Sequence, residues 1–128
     1  MVQNWRTKMK SEELQAIMGN YIGTEHIYNN PMMTMRYTDG VKAFLTNAEA
    51  YWLISDIYVY RKEAIKKNPD EYMFSVRLVV KGDKADLTFK DGNGHICFEH
   101  HYSFTDCPSG DWLFYYYVNE DLLIWNGE

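Results

Sequence analysis

His95, Cys97, Glu99 and His101 recur at every second position, and each carries a group able to ligate a metal ion. In an extended strand alternate side chains share a face. These four are therefore expected on one side, and Ile96, Phe98, His100 and Tyr102 on the other. Distance limits the chemistry. At about 3.3 Å per residue the ends of the series lie roughly 20 Å apart, so only neighbours such as His95 with Cys97, or Glu99 with His101, can share an ion. Other strands must then complete the shell. The polar face of a half-solvated strand is the simpler account of the same pattern.

Other reactive groups lack a local signature. A Cys–His nucleophilic pair would have to join Cys97 or Cys107 to His26, His95, His100 or His101 across the fold. No nucleophile elbow and no phosphate-cradling glycine loop occurs, and Gly92 and Gly94 read as hairpin glycines. Asp39, Asp56 and Asp106 are available for acid–base work, as carboxylates are in any small protein. Asp56 has the most distinctive setting, with Trp52 and Tyr60 four residues to either side on the same helical face. Such a stack puts a carboxylate between two aromatic rings. Trp52, Asp56 and Tyr60, with Tyr115 and Tyr117 further along, form the candidate interaction surface. No catalytic residue, metal ligand or cofactor is assigned.

The elements that must carry these groups are legible from period and punctuation. Ser11 is a suitable N-cap ahead of Glu12 and Glu13, and Leu14, Ile17, Met18 and Tyr21 follow at helical spacing, with Gly23 as the stop. Asn29-Asn30-Pro31 marks a turn, and Met32 to Tyr37 reads as a short extended segment entering the core. Thr38 or Asp39 can cap a second helix from Val41 to about Thr46, with a break near Asn47. A third runs from Ala48 to Lys67, with Ala50, Leu53, Ile54, Ile57, Ala64 and Ile65 as its apolar stripe. Asn68-Pro69 ends it, because the residue before a proline is pushed out of the helical region.

After Pro69 the period changes to two. Tyr72, Phe74, Val76, Leu78 and Val80 share one face of a strand; Gly82-Asp83 turns it; Ala85, Leu87 and Phe89 alternate with Asp86 and Thr88 in the next. Leu87 and Phe89 are expected against the long helix. Asp91-Gly92-Asn93-Gly94 is a second turn, and a third strand spans His95 to about Phe104. Trp112 to Val118 and Leu122 to Trp125 complete the set. Short connections favour antiparallel neighbours. The expected fold is α+β: three N-terminal helices packed on one face of a C-terminal antiparallel meander of four to five strands, in one domain over residues 1–128 with 1–10 frayed.

Composition narrows the classes. Eighteen acidic against thirteen basic residues give a net charge of −5, which disfavours a nucleic-acid surface because that affinity comes from clustered Lys and Arg. The basic residues are dispersed except for Arg61, Lys62, Lys66 and Lys67, where cations complement the dipole near a helix end. Binding of single strands by Tyr stacking would need a basic groove beside the rings. The first residues contain no apolar run able to serve as a signal peptide, and no stretch approaches the roughly 20 apolar residues that cross a bilayer. Two cysteines without metal-type pairing point to reduced thiols, hence a soluble cytoplasmic protein with no membrane partner. Eleven Tyr and four Trp are the unusual feature, and such residues suit strands, core boundaries and binding faces.

Tyr37-Thr38-Asp39-Gly40-Val41-Lys42, followed by Ala48-Glu49-Ala50-Tyr51-Trp52-Leu53, resembles the signature of an uncharacterised family of small proteins from bacteria, prophages and mobile elements. The Asp91-Gly92-Asn93-Gly94 turn and the Phe104-Thr105-Asp106-Cys107-Pro108 segment are similar to its pattern, with Cys107 in place of an expected aromatic and the Tyr115-Tyr116-Tyr117 run as a further variation. The likeness covers roughly residues 11–125. It implies a small accessory protein of phage or mobile-element type and transfers no catalytic residue. Small size, acidity, abundant Tyr and Trp and no catalytic motif make a non-catalytic protein-binding module, inhibitor- or immunity-like, the leading expectation. The alternatives are a metal-binding protein or small enzyme using the His95/Cys97/Glu99/His101 face, and a single-strand nucleic-acid binder.

Overall fold

The computed structural model describes residues 9–128 and is α+β, with three helices and one mixed sheet of seven strands among those residues. The helices are α1 (Ser11–Met18), α2 (Asp39–Asn47) and α3 (Tyr51–Lys67). The strands are β1 (Ile27–Asn29), β2 (Arg36–Thr38), β3 (Met73–Lys81), β4 (Lys84–Lys90), β5 (Ile96–Tyr102), β6 (Gly110–Tyr117) and β7 (Leu122–Trp125). The last five match the expected strands closely. The first two exceed the expected four to five and lie between α1 and α2, so the helices do not all precede the sheet. Three-residue strands show no period to read. The expected fraying of the N-terminus falls mostly on residues outside those described.

The sheet order is β1-β2-β7-β6-β3-β4-β5, which is not the expected meander. β6 pairs with β3 over the whole length from Met73↔Tyr117 to Val80↔Gly110, instead of with β5. β3, β4, β5 and β6 thus form a Greek key, in which the fourth strand returns beside the first. The return loop passes the β3–β4 turn and is tied to it. Thr105 N–H donates to Asp83 O at 2.7 Å, and Gly82 N–H donates to Ser109 Oγ at 3.1 Å. Gly82 takes φ of +64° in that turn, a conformation glycine adopts without steric cost. β2 then joins β7 in parallel, which makes the sheet mixed.

All three helices cover one face. Phe74, Val76, Leu78 and Val80 of β3 and Ala85, Leu87 and Phe89 of β4 point inward and are buried, as are Phe114 and Trp112 of β6, against Phe44 of α2 and Leu53, Ile54 and Ile57 of α3. Asp86 and Thr88 point away from this core, as the alternation requires. Tyr72 stands just outside β3 and is exposed. The opposite sheet face carries Leu113, Tyr115, Tyr117 and Ile124 in half-buried rows across β6 and β7.

Three local readings need correction. α1 begins after an N-cap at Lys10, while the Ser11 hydroxyl donates to Ser109 O; the helix stops at Gly19 instead of continuing through Tyr21. α2 starts at Asp39, but the Thr38 hydroxyl does not cap it. Glu128 does: its carboxylate accepts the Gly40 N–H at 3.0 Å, the Trp125 N–H at 3.1 Å and the Thr38 hydroxyl. The approach is so close that a Cβ on Gly40 would lie 2.7 Å from both Glu128 Oε1 and Trp125 Cβ. Arg61 is buried rather than solvated at the helix end; only Lys66 and Lys67 occupy the last turn of α3.

Candidate functional site

The expected shared face of His95, Cys97, Glu99 and His101 is broken at Cys97. Phe98 pairs with Phe89 and Ile96 with Lys90, so Cys97 is an extra residue in a β-bulge. The bulge breaks the alternation: Ile96 is exposed and Cys97 turns half inward, while Glu99 and His101 stay outward. Cys97 Sγ lies 4.0 Å from Asp91 Oδ2, and His95 Nδ1 lies 3.3 Å from the same oxygen. That carboxylate is already engaged, accepting the N–H groups of Asn93 and His95 at 2.9 Å each and the Asn68 amide at 3.1 Å. Those bonds, the His95 N–H first, hold Asp91 below the usual carboxylate range. Its role is to pin the β4–β5 turn. His101 instead pairs with Asp86 across the strands at 2.8 Å. Among the described residues no group of three or more His, Cys, Asp and Glu is placed to hold a metal ion. Cys97 and Cys107 form no disulfide with each other, and burial raises the Cys97 thiol away from the reactive thiolate.

Asp39 also serves the fold. It accepts the N–H groups of Glu25 and His26 at 2.9 Å each and pairs with His26 Nδ1 at 3.5 Å. The Glu25 N–H foremost holds its carboxyl below the ordinary range, so it stays ionised and makes a poor proton donor near neutrality. The surrounding open cleft, of about 420 Å³, is lined by Tyr21, Glu25, Tyr28, Lys42 and Thr46 among others. Lys42 Nζ stands 4.2 Å over the Tyr28 ring. Thr38, Asp39 and Gly40 of the sequence signature thus fasten the segment before β1 and the C-terminal turn to the start of α2.

The Asp56 neighbourhood is different. Its carboxylate does not sit between Trp52 and Tyr60 alone; Oδ2 accepts the Tyr102 hydroxyl of β5 at 2.5 Å. Burial, reinforced by Asp56, pushes the Tyr102 hydroxyl pKa well up, so it remains a proton-bearing donor. The α3 rings pair with inward rings of β5. Trp52 meets Tyr102 edge-on at 5.0 Å, and Tyr60 stacks on Phe98 at 4.6 Å and lies 5.1 Å from His100. His100 and Tyr102 close the ladder at 4.7 Å. At its open end Trp52, Asp56, Tyr102, Phe104, Thr105 and Asp106 line a cleft of about 340 Å³.

Phe104 is 71% exposed at the mouth of that cleft. Its support is fixed, because Thr105 next to it is buried, bonded to Asp83 O, and accepts the Cys107 N–H at 3.1 Å. Of the five residues expected to form one interaction surface, Trp52, Asp56 and Tyr60 come together here. Tyr115 and Tyr117 do not join them. They lie on the far side of the sheet, alternating with the buried Phe114 and Tyr116. Sequence reasoning missed Tyr102 and Phe104 as partners of Asp56; the inward period of Phe98, His100 and Tyr102 was the available signal.

No helix among the described residues is long and apolar enough to cross a membrane. Comparison with known proteins matches residues 12–126 to a family of unknown function, DUF6876. No curated protein and no solved structure matches the chain. The match takes in both the Thr38–Gly40 anchor and the whole aromatic cleft, and the chain belongs to this family of unknown function.

Proposed function

We propose that the chain is a small, non-catalytic protein-binding accessory module of phage or mobile-element type, inhibitor- or immunity-like, that docks through the cleft between α3 and the end of β5. One observation carries this reading. A large aromatic, Phe104, stands exposed on an anchored loop beside Trp52 and Tyr102, the residue types that dominate interface energetics. Holding such a side chain in water without a partner gains nothing for folding, and a rigid support lowers the entropy lost on docking. Asp39, Asp91 and Glu128, by contrast, are engaged by backbone N–H groups at turns and at the start of α2.

The test is capture from host extract with the tagged full chain, alongside Phe104→Ala and, as a surface control, Met32→Ala, which alters a residue 84% exposed and outside the cleft. The expected result is a stoichiometric partner held by the wild type and by Met32→Ala and lost from Phe104→Ala. Equal capture by all three, or small-molecule turnover with no stoichiometric partner, overturns the reading.

A further inference from the structure

The cleft has a chemical preference as well as a shape. Three of its lining residues are the aromatics Trp52, Tyr102 and Phe104, two are the carboxylates Asp56 and Asp106, and among the described residues no Lys or Arg lines it. Asp56 uses Oδ2 for Tyr102, while Oδ1 accepts no hydrogen bond among the described residues. The Asp106 carboxylate, exposed at the rim, likewise makes none there. Aromatic faces attract cations through the ring quadrupole, and carboxylates attract them directly. A net charge of −5 adds a field of the same sign.

From this juxtaposition we infer that the cleft receives an arginine side chain of the protein partner, its guanidinium stacked among Trp52, Tyr102 and Phe104 and donating to Asp56 and Asp106. The inference rests on the protein-docking reading and deepens it. Arginine fits better than lysine for a geometric reason. Its planar head can stack on a ring while its edge offers a fork of N–H donors, whereas an ammonium is a compact, strongly hydrated point charge. The cleft is open, so the cation keeps part of its hydration and the desolvation cost stays small compared with a closed site.

The experiment uses the ¹⁵N-labelled full chain and Nα-acetyl-arginine methylamide as probe, with the citrulline and lysine derivatives as comparators. Citrulline keeps the plane and loses the charge; lysine keeps the charge and loses the plane. The expected result is a saturable shift of the Trp52 indole N–H and of the amides of residues 104–106, at least about tenfold tighter for arginine than for citrulline. Phe104→Ala and Asp106→Asn should each weaken it, and both are exposed positions whose variants should keep the remaining spectrum. Equal binding of citrulline or lysine, or shifts confined to the Asp39 cleft, overturns the assignment. A partner that depends on Phe104 while the arginine probe gives no cleft shifts sinks this inference alone. Arginine binding here beside capture indifferent to Phe104 sinks the protein-docking reading instead.

Discussion

Replacing Asp121 by Asn should cost about 2–4 kcal/mol, because it strands a buried cation. Arg61 of α3 is only 6% exposed. Its Nε lies 3.1 Å from Asp121 Oδ1 and 3.2 Å from the Tyr116 hydroxyl, its Nη2 donates to Thr34 Oγ1 at 3.1 Å, and its Nη1 donates to Tyr58 O. One side chain therefore ties the long helix to β6, to the β6–β7 turn and to the segment before β2. Removing one partner of a fully buried pair costs about 3–5 kcal/mol. The Asp121 side chain is 28% exposed, so water repays part of that. Asn suits the site's φ of +48°, a left-handed conformation it tolerates, which isolates the charge from backbone strain. Urea denaturation at neutral pH measures the difference. The double variant with Arg61→Met should cost less than the sum of the singles, since no charge is then left alone. Burial alone would raise the Asp121 pKa, but hydrogen bonds from Arg61, Tyr116 and Thr34 outweigh it and hold the carboxyl below its usual range. A depressed folded pKa gives stability that is present above the unfolded value and lost as pH falls through the folded one. The gap between wild type and Asp121→Asn should accordingly narrow below about pH 4. A neutral-pH gap under about 0.5 kcal/mol, or one undiminished at about pH 2, would refute the reasoning.

Leu87→Ala should cost about 2–5 kcal/mol, from lost transfer energy plus a cavity beneath α3, while Thr88→Ala on the open face should stay within about 0.5 kcal/mol; equal losses in chemical denaturation would contradict the one-sided core. Gly40→Ala should destabilise by about 1–3 kcal/mol, because its methyl must displace Glu128 or Trp125 from contact. Its effect should shrink in a Glu128→Ala background, and an unchanged melting midpoint for Gly40→Ala alone would show that the C-terminal turn is not the cap of α2.

Local rules were enough for the elements that carry their own pattern. β3 and β4 alternate strictly on either side of Gly82-Asp83, so their pairing and register follow from turn geometry and the burial of one face. α3 follows from its stripe and from Pro69, apart from a start at Tyr51 instead of Ala48. The spacing of Trp52, Asp56 and Tyr60 likewise put the three on one face of α3, where Tyr102 and Phe98 of β5 meet them. Strand order did not follow, since β5 and β6 are joined by a short loop yet β6 lies on β3. That choice depends on which inward side chains fit against Phe44 and α3, a long-range packing energy with no local trace. The bulge at Cys97 has the same origin, and one inserted residue was enough to undo a face inferred from perfect alternation. β1 and β2 are too short to show a period and exist because β7 offers an edge. The partners of Asp56, Asp121 and Arg61 lie 46 and 60 residues away along the chain, so only the folded chain decides which carboxylate is spent on structure and which lines a cleft.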